Sequence, residues 1–375
     1  MPPREVNKET PPSETNYSPP SEGLGVVSYR LAKRSNMPKT QRSKKVIADT
    51  SSNKNMQTKK IANKYDPKTI LIKDYKWADV SFNIRDYGEG IPLLFIHGYP
   101  FDGSMWFRAV DILLGKSDIK LDGKLPQSRT NQCPFLKYRA IMPDLRGMGK
   151  SESPIISQDP TKNGVKIEKY ADDLMELLQQ LKISRPVIVV GLSMGGYIAV
   201  QFADRHKKHL AGLVMCNTKT TSDPPEVVEK RRAIIDKICS VRNNAQGVLE
   251  SIADSMIPQL FASHTYRDKQ DIIDEVKSMI LSNNPHGVSA ATWGMAERGD
   301  TTKLLENVNV PVLAIGTDED KITPPSVVKK LAKIAKNGKY VEIHNAGHLT
   351  PMEQPEQFAI ALNNFISEIE KNKEQ

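Results

Sequence analysis

The segment Gly191-Leu192-Ser193-Met194-Gly195-Gly196 stands between the apolar run PVIVV and the helical stretch YIAVQFADRH. A G-x-S-x-G pattern between a strand and a helix places its serine on a sharp turn at the edge of a sheet. The nucleophile's backbone is strained there, and side chains two positions to either side would clash, so Gly191 and Gly195 are the elbow glycines. A serine hydroxyl attacks poorly until a base takes its proton, and an acid must hold that base in one tautomer. In this arrangement the acid and then the histidine follow the serine at later strand ends. Asp320 stands in GTDEDKITPP after the apolar run PVLAIG, and His348 stands in NAGHLTPMEQP after KYVEI. The chemistry open to Ser193, Asp320 and His348 is acyl transfer through a covalent intermediate.

The acid has a rival. Asp318 and Glu319 adjoin Asp320, and Asp320 is preferred because Pro324 gives its loop a rigid exit into the next helix. Asp318 remains the alternative. Asn217 occupies the end of the earlier strand, where an acid is also conceivable. His344 falls within the run KYVEIHNAG and reads as structural. A developing oxyanion needs two backbone donors. Met194, next after the serine, offers one, and Tyr99 in Ile96-His97-Gly98-Tyr99-Pro100 is the best placed to offer the other. His97 precedes the nucleophile in the chain and is expected to fix its loop by hydrogen bonding.

These residues need a frame of parallel strands. The runs at 92–98, 138–144, 186–193, 210–217, 311–316 and 339–347 are apolar in the manner of strands covered on both faces. Helical stretches near 166–182, 195–206, 325–337 and 355–370 alternate with them. The fold class is therefore α/β, a mostly parallel doubly wound sheet. The alternating run TILIKDYKWADVSFNIRDYG adds an N-terminal antiparallel hairpin. Residues 116–136 have no clear period and read as a loop insertion, and about 224–299 read as an inserted helical cap.

The chain has 375 residues and a net charge of +9. Residues 1–64 hold 13 Lys or Arg against 5 Asp or Glu, which leaves 40 against 39 for residues 65–375. The excess belongs to a Pro-, Ser-, Thr- and Lys-rich tail that is expected to be disordered. An anionic partner or a nuclear address would involve that tail; the body at 65–375 requires no nucleic acid. The longest apolar runs fall well short of a membrane span, and the first 30 residues lack a signal-peptide core, so a cytoplasmic location is expected. Cys133, Cys216 and Cys239 are too scattered for a disulfide framework or a zinc knuckle. The GKS in PDLRGMGKS has Asp144 where a phosphate loop needs its first glycine. His206 and His209 flank two lysines on a solvated turn, so no metal is expected. Met256, Met279 and Met295 could line an apolar pocket or pack cap helices equally well.

With PDLRGMGKS, these motifs resemble the α/β-hydrolase superfamily from about residue 69 to 370. NTKTTSDPPEVVEKRR, NPHGVSAATWGMAERGD and the G-H-x-x-x-x-E-x-P spacing resemble the branch of 3-oxoadipate enol-lactonases and related esterases. The resemblance implies an α/β-hydrolase fold and a triad of Ser193, Asp320 and His348 with oxyanion amides at Tyr99 and Met194. It also implies hydrolysis of a small carboxyl ester or lactone without a cofactor. The four-residue step from Gly316 to Asp320 is one residue longer than the family pattern. Relatives imply two other uses of the same site, perhydrolysis and carbon-carbon bond hydrolysis. A non-catalytic, receptor-type ligand binder is the reading from a different class.

Overall fold

A computed structural model describes residues 68–72, 80–115, 137–152, 163–241 and 245–373. The expected tail (1–64) and loop insertion (116–136) lie outside the described residues. Among the described residues eight strands form one sheet: β1 (Lys68–Ile72), β2 (Val80–Gly88), β3 (Ile91–Ile96), β4 (Tyr138–Pro143), β5 (Val187–Leu192), β6 (Leu210–Cys216), β7 (Val312–Thr317) and β8 (Gly338–Ile343). Their spatial order is β1-β2-β4-β3-β5-β6-β7-β8. β1 pairs antiparallel with β2, with Thr69 opposite Asn83, and β2 pairs antiparallel with β4. From β4 to β8 every pairing is parallel. The N-terminal hairpin is thus continuous with the sheet, through β4 rather than through its chain neighbour β3.

The central strands are apolar throughout because helices cover both faces. All residues of β3, β5 and β7 are buried. β8 is the outer strand, and most of its residues are partly exposed. Helices Phe107–Leu113 and Pro355–Lys373 pack together, helices Ile167–Gln180 and Met194–Arg205 pack together, and helix Pro325–Ile334 packs on β7 and β8. Trp106 joins the first pair to the sheet: its ring centroid lies 5.2 Å from that of Phe95 on β3 and 5.7 Å from that of Phe358. In helix Ile167–Gln180 the buried residues Ile167, Tyr170, Ala171, Leu174, Leu177 and Leu178 recur at the spacing of one helical face. Asp173, buried in the same helix, takes both Nε and Nη2 of Arg146 at 2.7 Å.

Two boundaries differ from the sequence reading. β8 ends at Ile343, so His344 lies just beyond the strand and not inside it. Helix Phe107–Leu113 has no counterpart there, because a seven-residue helix buried on more than one side shows little periodicity.

Between β6 and β7 the described residues form helices Pro225–Ser240, Ala245–Leu260, Ser263–Asp268, Gln270–Leu281 and Pro285–Glu297, followed by the short helix Thr302–Glu306. The two ends of this insertion are tied together. The Asp223 carboxylate, 2% exposed, accepts Lys219 Nζ at 2.8 Å, Arg231 Nε at 2.8 Å and Arg298 Nη2 at 2.7 Å. Arg298 also donates to the Thr221 carbonyl at 2.6 Å and lies over the Tyr197 ring, 3.9 Å from its centroid. The Thr301 amide reaches the Thr220 carbonyl at 2.9 Å. Removing the shared anion would leave the enclosed Arg298 and the partly buried Lys219 and Arg231 facing one another, which is costly. Asp223→Ala is therefore expected to lower unfolding stability by about 3–5 kcal/mol. Urea titration checks this, and a loss under about 1 kcal/mol would make Asp223 a bystander.

Candidate active site

β5, β6, β7 and β8 are parallel neighbours, so their C-terminal ends lie along one sheet edge. Ser193 follows β5, Asn217 follows β6, Asp320 follows β7 and His348 follows β8. Chain order and sheet order coincide here, which brings residues more than 150 positions apart to one edge of the sheet.

Ser193 has φ 55° and ψ −115°, a conformation disfavoured for a residue with a side chain. Its surroundings hold it there. The Ser193 amide donates to the Cys216 carbonyl at 3.0 Å, and its carbonyl accepts Thr218 Oγ1 at 2.7 Å. A Cβ on Gly191 would lie 2.3 Å from the Gly195 carbonyl oxygen, and one on Gly195 would lie 2.1 Å from the Ile96 carbonyl oxygen. Only bare backbone lets helix Met194–Arg205 start this close to β5 and the end of β3. The partly exposed Ser193 therefore stands at the N-terminus of a twelve-residue helix, whose dipole favours negative charge.

His348 is 2% exposed, and its Nδ1 lies 2.9 Å from Asp320 Oδ2. The same oxygen accepts Asn217 Nδ2 at 2.8 Å and Thr323 Oγ1 at 2.6 Å. Asp320 Oδ1 accepts the Ile322 and Thr323 amides at 2.8 and 3.0 Å. Burial raises the Asp320 pKa, but the opposing effect of His348 and the donated hydrogen bonds outweighs it and holds the carboxyl at about 2. Asp318 has different company: its Oδ2 faces His344 Nδ1 at 3.2 Å, and it accepts the Asn345 and Ala346 amides. The His344–Asp318 pair is largely exposed and the His348–Asp320 pair is enclosed. Ser193 Oγ forms no hydrogen bond among the described residues. In unliganded sites such contacts are often long and tighten only around substrate.

The loop after β3 adjoins the elbow. A Cβ on Gly98 would touch the Leu192 side chain at 3.0 Å. Tyr99 and Met194, whose amides are the expected oxyanion donors, are both buried on this side of Ser193. The Tyr99 phenol is hydrogen-bonded to Thr292 Oγ1 of the insertion at 2.8 Å, and burial pushes its pKa up to about 12. His97 has both ring nitrogens engaged: Nδ1 lies 2.8 Å from the Gly98 carbonyl, and Nε2 accepts the Leu145 amide at 2.9 Å. Burial lowers its pKa. It bridges two loops in its neutral form and has no free nitrogen with which to move a proton.

Sequence reasoning missed the buried Glu353 as a participant, although its G-H-x-x-x-x-E-x-P spacing was visible. Glu353 Oε1 accepts the Gly347 amide at 2.8 Å and Oε2 accepts the Ala262 amide at 2.8 Å. The His348 amide meanwhile donates to the Leu260 carbonyl at 2.7 Å. The histidine loop is thus fastened to the end of helix Ala245–Leu260. Thr323 and Thr350 were also missed, since hydroxyl residues in loops carry no distinguishing spacing. His206, weighed as a metal ligand, has its Nε2 3.0 Å from Asp172 Oδ1.

The family model for the alpha/beta hydrolase fold matches residues 91–355. A thermophilic esterase from Thermogutta terrifontis, solved with malate bound, is 33% identical with a TM-score of 0.69; the match covers 80% of this chain and 99% of that one. The enol-lactonase from Burkholderia xenovorans superposes with a TM-score of 0.64 at 22% identity, over 80% of this chain and 100% of its own, a likeness of fold alone. A non-heme chloroperoxidase from Kitasatospora aureofaciens is 25% identical over 285 residues, 70% of this chain and 87% of its own length. The chain belongs to the α/β-hydrolase fold family, among relatives that include an esterase and a chloroperoxidase.

Proposed function

We propose that this protein is a serine hydrolase that cleaves small carboxyl esters or lactones through a Ser193-His348-Asp320 triad. The observation that carries this reading is the enclosed 2.9 Å contact between His348 Nδ1 and Asp320 Oδ2, two and three strand ends along the same sheet edge from the strained Ser193. Asp320, ionised and fixed by five donated hydrogen bonds, keeps the imidazole proton on Nδ1 and leaves Nε2 to act as base. Ser193 Oγ bonds to the substrate carbonyl carbon while His348 takes its proton. The carbonyl electron pair moves to oxygen, where the amides of Tyr99 and Met194 stabilise it, each donor being worth roughly 2.7–4 kcal/mol. As the carbonyl re-forms, the carbon-oxygen bond to the alcohol breaks and His348 protonates the leaving oxygen. Water then repeats the sequence on the acyl-enzyme and frees the acid. The helical insertion acts as a cap that selects acyl and leaving groups by shape.

The chloroperoxidase relative favours a second reading of the same site. Hydrogen peroxide would replace water in the second half of the cycle and release a peracid from the same acyl-enzyme.

A short-to-medium series of p-nitrophenyl esters and a fluorophosphonate probe test the proposal together. Turnover of at least one ester is expected, with probe labelling abolished in Ser193→Ala. No turnover and no labelling would favour a binding protein, and labelling that survives in Ser193→Ala would identify a different nucleophile. Peracid formation on adding peroxide measures the second reading.

The two carboxylates are expected to separate cleanly. Asp320→Asn should lower kcat by on the order of 10⁴-fold, whereas Asp318→Asn should stay within about threefold of the parent. The reverse pattern would transfer the acid role to Asp318.

Asp320 also makes an acid-stability prediction. Its carboxyl sits at about 2 in the folded chain against an ordinary value of 3.8, so the ionised form favours folding. That contribution, about 2 kcal/mol, is fully present above roughly pH 4 and is lost as the pH falls through about 2. Thermal melts between pH 5 and pH 2 should lose less stability in Asp320→Asn than in the parent; equal losses would show that this carboxylate is not coupled to folding.

A further inference from the structure

The tripeptide Cys216-Asn217-Thr218, at the C-terminal end of β6, touches each loop of the proposed triad. The Cys216 carbonyl accepts the Ser193 amide, and Thr218 Oγ1 donates to the Ser193 carbonyl. Asn217, fully buried with φ 44°, directs its side chain the other way, toward Asp320 and His348. Asparagine tolerates the left-handed region better than most residues with side chains.

The amide of Asn217 is used to capacity. Nδ2 donates to Asp320 Oδ2 at 2.8 Å and to Thr317 Oγ1 at 2.8 Å. Oδ1 accepts Thr350 Oγ1 at 2.5 Å and Cys216 Sγ at 3.0 Å. Thr317 passes its own hydroxyl proton to the Gly347 carbonyl at 2.6 Å. Gly347 directly precedes His348 and Thr350 follows it by two residues. Asn217 therefore grips the histidine loop on both sides while donating to the carboxylate oxygen that His348 meets. The direction of these bonds makes the residue type specific. An aspartate has the same shape but places a second acceptor 2.8 Å from Asp320 Oδ2; an alanine or glycine leaves that side of the carboxylate unsupported.

We infer that Asn217 is the positioning residue of this site, holding the Asp320 carboxylate against His348 and locking both to the loops around Ser193. The inference rests on the triad reading above and adds a residue that touches neither substrate nor reacting atoms. The titratable groups around this junction are Asp320, His348 and the Cys216 thiol, whose pKa burial pushes up; Glu353 binds backbone amides of the same loop.

The test compares the full-length parent with Asn217→Asp and Asn217→Gly. Asn217→Asp preserves shape, and glycine accepts the backbone conformation. Both should fold, as circular dichroism and melting reveal, with kcat for a p-nitrophenyl ester reduced on the order of 10- to 100-fold and KM nearly unchanged. In Asn217→Asp two buried carboxylates at this distance cannot both ionise; they share one proton, which reduces the charge that Asp320 presents to the imidazolium, so the acid limb of the kcat/KM profile should move down by up to about one unit. In Asn217→Gly the limb should stay in place while kcat falls. The downfield proton resonance of the His348 Nδ1–H reports the contact to Asp320 without turnover and should shift or broaden in both variants. Folded variants with parental kcat, or an Asn217→Asp limb and resonance that do not move, would reduce Asn217 to packing and overturn the inference. Ester turnover and probe labelling of the parent decide the hydrolase reading separately.

Discussion

One unfavourable backbone conformation organises this molecule. Ser193 occupies φ 55° and ψ −115°, at a cost of about 1–3 kcal/mol that has to be met by its surroundings. β5, which delivers it, is buried along its whole length and bonded on both sides, to β3 and to β6. The Ser193 amide and carbonyl are both satisfied by Cys216 and Thr218 at the C-terminal end of β6, so the strain has no local route of release. Gly191 and Gly195 remove the two side chains that would push the following helix away. The orientation of Ser193 is thus a property of the sheet as much as of the turn.

Electrostatics at the same edge depend on which polar groups are satisfied. Asp320 is enclosed, yet it receives five donors, so its charge persists where an unpaired carboxylate would take up a proton. His97 is enclosed with both nitrogens occupied and stays neutral. Two buried histidines, each beside a strand end, therefore differ in kind: one stiffens a junction between loops, and the other keeps a nitrogen available. The near balance of charge over residues 65–375 fits a site that relies on short-range, directed bonds rather than on a broad field.

The sequence made legible whatever depends on local constraint. The glycines around Ser193 are required at fixed offsets by sterics, and the continuous apolar runs of β3, β5 and β7 are required by burial on both faces. Asp320 and His348 could be placed at strand ends because each follows such a run. The order of β1, β2, β4 and β3 was not legible, since nothing local specifies which edge a strand joins. Asn217 was noticed only as the occupant of a position where an acid could stand. Its partners Thr317, Asp320 and Thr350 lie 100, 103 and 133 residues away, and hydrogen bonds over such separations leave no period in the chain. The run KYVEIHNAG carries no local mark of where pairing with β7 stops, at Ile343 opposite Thr317, so on sequence alone His344 falls inside a strand.

The junction of Asp223 with Lys219, Arg231 and Arg298 has a consequence for how this protein can change. A segment whose two ends are cross-braced is a closed loop, and the entropic cost of lengthening a flexible loop grows only logarithmically, by about 0.6 kcal/mol per doubling. Helices between residues 225 and 297 can accordingly be extended, shortened or reshaped while β6 and β7 keep their register. The sheet edge then stays fixed while the braced segment varies, so the insertion can be remodelled without disturbing the serine's strained perch.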